Sequence, residues 1–301
     1  MANLLSTEES VGSEKPNTTS YKSFHYLEDG SVEFSILSTN FTTKKLNSGI
    51  YNIFSKQVNG NYQLALEVNT DEESFNQEIS YYFDDKIKEI YTKFFDEDVK
   101  AKINKLGYNH KLGIILHGKQ GTGKTSMFKK YFKEAVEKHD ALVFNFTNFI
   151  NLDSLLTFIN KIRKIQKNPI IIFMDEFEVV FEYHSTESTL KASMDGFNSM
   201  DNCVFMLATN YIDKVPESIK NRPSRVKHCI EVKGIEDEDV ISRFLRTSFE
   251  KIDMVVDFSK DVKKMKGWTI DELKQWVLDK IMDIEPSKPD SHKKKMGFNV
   301  E

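Results

Sequence analysis

Eight consecutive residues, Gly118-Lys119-Gln120-Gly121-Thr122-Gly123-Lys124-Thr125, spell G-x-x-x-x-G-K-T. An apolar run, 113–116, precedes them and a helix-like stretch, 126–139, follows. Strand, Gly-rich loop and helix together are the context of a phosphate site. The glycines let backbone N–H groups curl round an anion at the positive end of a helix dipole. Lys124 is placed to reach β- and γ-phosphates, and the Thr125 hydroxyl to ligate Mg²⁺. The expected nucleotide-binding residues are Gly118, Gly121, Thr122, Gly123, Lys124, Thr125 and Ser126, with Asp175 from a later strand.

A phosphate loop needs a second magnesium anchor. The run 170–174 is wholly apolar and ends in Asp175-Glu176. Asp175 suits the metal shell, so Thr125 and Asp175 are the expected metal residues. Glu176 projects differently and suits polarisation of an attacking water. A further apolar run, 204–208, leads to Thr209-Asn210. Ligands bind at the carboxyl ends of strands in such sheets, so Asn210 is expected to orient water or touch the γ-phosphate. Arginine is scarce: Arg163, Arg222, Arg225, Arg243 and Arg246 are all the chain has. Two of them stand in Arg222-Pro223-Ser224-Arg225, beyond the phosphate loop in strand order. The forked, permanent charge of arginine suits γ-phosphate stabilisation, here in a neighbour's site. Asn210-Tyr211-Ile212-Asp213 has Tyr where a guanine reader has Lys, which argues against a guanine nucleotide.

These side chains need a scaffold of alternating elements. Strands are expected at 112–116, 142–146, 170–174, 204–208 and 226–232, with helices at 125–139, 152–167 and 188–200 between them. That alternation predicts an α/β fold, a parallel sheet with helices on both faces. Helices at 236–251, 259–265 and 269–284 then form a small α-helical lid. Upstream, 21–70 reads as β-rich: 31–37 alternates, and Asn59-Gly60 marks a hairpin. Residues 71–110 read as a helical connector, with Phe75, Ile79, Phe83, Ile87, Ile90 and Tyr91 at helical spacing. The divisions are therefore a disordered leader 1–20, a β-rich N-terminal segment 21–70, the connector 71–110, the nucleotide-binding domain 111–234, the lid 235–284 and a flexible tail 285–301.

Net charge is −4, which argues against a general nucleic-acid field. No apolar run approaches a membrane span, and the polar N-terminus is not a signal peptide. Cys203 and Cys229 sit in apolar, strand-like runs and are expected to be buried free thiols. A cytoplasmic setting follows, without a membrane partner. The run His292-Lys293-Lys294-Lys295 reads as a solvated tail.

In order and spacing, Lys124, Asp175-Glu176, Asn210 and the Arg222–Arg225 box resemble an AAA ATPase of the core AAA clade over about residues 95 to 283. Asp195-Gly196-Phe197 is similar to the Asp-Gly-Phe segment of AAA proteases. Gly267-Trp268-Thr269-Ile270-Asp271-Glu272-Leu273 is similar to the family's lid motif and lacks a sensor-2 arginine. The β segment before a short module is similar to that of small phage-type AAA proteins and of the AAA chaperone of the Rieske protein. The resemblance implies strand order 5-1-4-3-2 and the cofactors ATP and Mg²⁺. Catalysis would rest on Glu176, Asn210, Arg222 and Arg225. It also implies a ring homo-oligomer, a hexamer, that remodels or disassembles a protein client. Two departures stand out. Ser224 replaces the usual Gly of the arginine box, and Phe149 is the lone aromatic where a pore-loop triplet is normal. A nucleic-acid loader and a nucleotide-switched scaffold remain the alternatives.

Overall fold

The computed structural model describes residues 21–26, 31–37, 45–58, 61–69, 85–146, 152–182, 191, 200–221 and 226–283. The strands are β1 Tyr21–Tyr26, β2 Ser31–Leu37, β3 Gly49–Val58, β4 Asn61–Val68, β5 Lys111–His117, β6 Leu142–Phe146, β7 Ile170–Met174, β8 Cys203–Thr209 and β9 His228–Glu231. The helices are α1 Asp85–Phe94, α2 Glu97–Lys105, α3 Lys124–His139, α4 Leu152–Ile165, α5 Glu217–Lys220, α6 Glu238–Glu250 and α7 Ile270–Ile281.

Among the described residues nine strands form one sheet, in the order β1-β2-β4-β3-β6-β7-β8-β5-β9. The run β9-β5-β8-β7-β6 is the expected 5-1-4-3-2 order, and its neighbours pair in parallel. β7 and β8 are buried along their whole length, as a strand covered on both faces must be. One face packs Ile115, Phe144, Ile172 and Phe205 against Phe158, Ile159 and Ile162 of α4. The other packs Ile114, Phe173 and Met206 against α1 and against Phe128, Tyr131 and Phe132 of α3. Phe173 lies 5.8 Å from Phe128 and 5.1 Å from Phe132, centroid to centroid. Each such aromatic pair adds about 0.5–1.5 kcal/mol beyond its buried area.

The topology brings three strand ends together. β8 lies between β5 and β7, with His117 opposite Thr209 and Met174 opposite Leu207. The residues that follow these strands, Gly118, Asp175 and Asn210, therefore emerge side by side at one edge.

The N-terminal strands join this sheet. β3 pairs in parallel with β6, from Gly49 opposite Leu142 to Ile53 opposite Phe146. The sheet thus continues past its expected edge into antiparallel β3, β4, β2 and β1. The Asn145 amide donates to Asn52 Oδ1 across this seam at 2.9 Å. Gln166, just beyond α4, accepts from Leu46 N–H at 2.9 Å and donates to Leu46 O at 3.2 Å. Leu46, Tyr51, Ile53 and Leu66 join the core on the α4 face.

The C-terminal helices α6 and α7 have their own core of Ile241, Leu245, Phe249, Leu273 and Trp276. Asp237 caps α6, and Thr269 with Glu272 forms a reciprocal capping box on α7. Ile235, before α6, and Trp268, before α7, pair in an antiparallel bridge. Gly234 lies in that crossing: a Cβ there would meet Gly267 O at 2.0 Å. Gly234→Ala is therefore expected to cost about 1–3 kcal/mol through backbone displacement. A chemical-denaturation midpoint equal to the wild type's would show that the crossing is looser than this.

Two expectations are corrected. Residues 259–265 do not form an α-helix; a 3-10 turn spans Val262–Met265. Asp257 Oδ1 accepts from both the N–H and the hydroxyl of Ser259, a local turn that competes with helix initiation. Cys203 is buried, but Cys229 is exposed. β9 pairs with β5 on one side and has no described strand on the other, so Cys229 reaches solvent while Ile230 stays buried. The leader 1–20, the connector residues 71–84, most of the expected helix 188–200, and the tail from 284 lie outside the described residues.

Candidate active site

The loop between β5 and α3 is a backbone cradle. Gly121 and Gly123 adopt φ of 80° and 87°, the left-handed region that favours glycine. A Cβ on Gly118 would sit 2.2 Å from Val232 O, so the loop can pass β9 only as glycine. Gly123 caps α3 without a side chain, and the first turn of α3 holds no acidic residue. The first N–H groups of a sixteen-residue helix thus meet neither a capping side chain nor a carboxylate of their own turn. Such an end attracts an anion. Ser126 lies half-buried in this first turn, after Thr125.

Lys124 is only 6% exposed. Its ammonium donates to Gly118 O at 2.9 Å, Lys119 O at 2.8 Å and Asn210 Oδ1 at 2.8 Å. All three protons are used, and the last bond joins the loop to the end of β8. Burial pushes the Lys124 pKa down, while Asp175 and Glu178 oppose that shift. The Thr122 hydroxyl donates to Lys119 O at 2.9 Å and stiffens the loop.

The Thr125 hydroxyl donates to Asp175 Oδ2 at 2.6 Å, and Asp175 Oδ1 accepts from Glu176 N–H at 3.0 Å. A hydroxyl and a carboxylate in contact, beside a glycine cradle, are the hard oxygen donors Mg²⁺ prefers, so the residues fit that ion. When bound, it would neutralise phosphate charge. Glu176 is exposed and holds a left-handed φ of 47°. That conformation costs a non-glycine residue about 1–3 kcal/mol, and such strain clusters where a side chain must be aimed.

The start of α7 touches this loop. A Cβ on Gly123 would meet Ile270 Cδ1 at 2.4 Å, and one on Gly121 would meet Asp271 Oδ2 at 2.8 Å. The Asp271 N–H donates to Gly121 O at 3.2 Å. The start of α7 therefore rests on the phosphate loop.

The structure thus brings together Gly118, Gly121, Thr122, Gly123, Lys124, Thr125, Asp175, Glu176 and Asn210. Arg222 and Arg225 lie outside the described residues, as do Phe149 and Asp195-Gly196-Phe197. Sequence reasoning missed Glu178. It is 3% exposed, and its Oε1 accepts from Asn210 N–H at 3.3 Å. In sequence it is one more acid, two residues after Glu176, and only that spacing hinted at a role.

Residues 114–233 match the model of the ATPase family associated with various cellular activities (AAA). Residues 114–233 are an AAA domain. An AAA domain uses ATP with Mg²⁺, in keeping with the donors described above. Proteasome-activating nucleotidase 2 of Halobacterium salinarum is 28% identical over 200 residues, 58% of this chain and 46% of that protein. The proteasome-activating nucleotidase of Aeropyrum pernix is 29% identical over 148 residues, 42% of this chain and 34% of its own length. ATP-dependent zinc metalloprotease FtsH 2 of a Thermoanaerobacter species is 27% identical over 191 residues, 56% and 35% of the two chains. The chain thus spans less than half the length of the curated relatives it matches. No described helix is long and apolar enough to cross a membrane.

Proposed function

We propose that the chain is a subunit of a ring-forming AAA ATPase, a hexamer by family resemblance, that spends ATP on remodelling or disassembling a protein client in the cytoplasm. The observation that carries it is the convergence of Lys124 on Asn210 and of Thr125 on Asp175 at one sheet edge. The names of its relatives, a proteasome-activating nucleotidase and an ATP-dependent protease, tie nucleotide use to protein substrates.

In this reading residues 111–234 bind the nucleotide and 235–284 act as its lid. Gly118 to Ser126 cradle the phosphates, and Lys124 exchanges backbone acceptors for phosphate oxygens. Thr125 and Asp175 hold Mg²⁺. Glu176 polarises the attacking water, and Asn210 orients it. Arg222 and Arg225 reach the γ-phosphate of the adjoining subunit, through head-to-tail contacts that close a ring. Because the lid rests on Gly121 and Gly123, a change in the loop's occupant moves Ile270 and Asp271, and with them the lid.

Glu176→Gln tests the client. It is expected to bind ATP with near wild-type affinity and to lower turnover by about 10²–10⁴-fold, the usual worth of a general base. Isolated from native cells in ATP, it should retain one protein that Lys124→Ala does not. Retention of DNA or of a replication factor instead would overturn the protein-remodelling reading in favour of a loader.

A further inference from the structure

Glu178 is a buried carboxylate that the site described above does not use. It sits in the 3-10 helix Phe177–Glu182, which follows Asp175-Glu176. Its Oε1 accepts from Asn210 N–H at 3.3 Å, and its Oε2 is buried with no hydrogen-bond partner among the described residues. A half-satisfied buried carboxylate is costly, so its presence here calls for a physical reason.

The reason lies in how β8 ends. Its last ladder partner is His117, opposite Thr209. Beyond that pair the backbone leaves the sheet, and two side chains take over its N–H groups. Glu178 accepts from Asn210, and the Thr209 hydroxyl accepts from Tyr211 at 3.0 Å. Held in this way, Asn210 presents Oδ1 to Lys124 at 2.8 Å. We infer that Glu178 is a positioning residue for ATP hydrolysis, fixing the Asn210 backbone so that its amide meets Lys124 and the reacting phosphate. Glu178 acts through Asn210 and touches no substrate.

This inference rests on the ATPase reading, and the test separates the two. ATP turnover and binding of a fluorescent ADP analogue are measured on the full chain. Glu178→Ala is expected to lower kcat by about ten- to hundredfold, the scale of a small misplacement of a reacting group. The nucleotide Kd should stay within about threefold, because the loop keeps its own contacts. Glu178→Gln retains an acceptor for Asn210 N–H and should recover kcat to within about threefold of wild type. A Glu178→Ala, Asn210→Ala double variant should be no slower than Asn210→Ala alone, since the two act as one unit. Should the alanine variant fail to fold, Glu178→Met, similar in size and without an acceptor, carries the same expectation. Wild-type turnover with Glu178→Ala undiminished overturns this inference alone. So does a Glu178→Gln as slow as the alanine variant, or a double variant whose losses multiply. A wild-type chain that binds but never hydrolyses ATP overturns the ATPase reading and this inference together.

Discussion

Lys124→Ala is expected to weaken ATP binding by about a hundredfold and to reduce hydrolysis to background. The ammonium is buried to 6% exposure, and its three protons are all engaged. Its removal deletes the positive charge that would face the phosphates. It also leaves Gly118 O, Lys119 O and Asn210 Oδ1 without their donor. Hydrogen bonds to charged groups contribute about 1.5–3 kcal/mol each, and losing one or two at the phosphate gives the expected factor. Lys124→Arg should fare little better. A flat fork cannot reach three acceptors arranged round a compact ammonium. Titration calorimetry with ATP decides the matter; a Kd within about threefold of wild type would show that the loop binds without this residue.

Arg222→Ala is expected to lower turnover by about a thousandfold, in the range found for arginines that stabilise phosphoryl transfer, while nucleotide binding stays nearly intact. The effect should also be curable in trans. Subunits carrying Glu176→Gln have a silent site but an intact Arg222; subunits carrying Arg222→Ala have the converse. Mixed in one ring, the first supply the missing arginine to the second, and ATPase activity should reappear. Two inactive populations that stay inactive when mixed, or a loss of binding equal to that of Lys124→Ala, would refute the proposed role across the subunit boundary.

The nucleotide loop was legible because its chemistry is contiguous. Eight neighbouring residues specify glycines that can take φ near 80°, an uncapped helix start and a lysine aimed back into the loop. The carboxylates and Asn210 were legible for a related reason. Apolar runs that end abruptly in polar residues mark strands emerging at a ligand-binding edge. Glu178 was not legible, because an acid two positions after Glu176 reads the same whether it is solvated or buried. Only the turn Phe177–Glu182, folding back against the end of β8, removes it from water. Ser259 misled in the opposite direction: the segment has helical composition, but the Asp257 carboxylate captures its N–H and hydroxyl.

The sequence by itself determined the strand–loop–helix chemistry, the carboxylate pair and the alternation that makes a parallel sheet. Each depends on residues close in the chain, where spacing and propensity act directly. The tertiary structure alone decided that β3 joins β6 and carries the sheet into the N-terminal strands, through a seam pinned by Asn52 and Asn145. It alone exposed Cys229 at the edge beside β5 and seated Ile270 and Asp271 on the phosphate loop. Strand pairing and lid docking join residues many positions apart. Their register follows from which apolar faces can be buried together, and local pattern does not encode that choice.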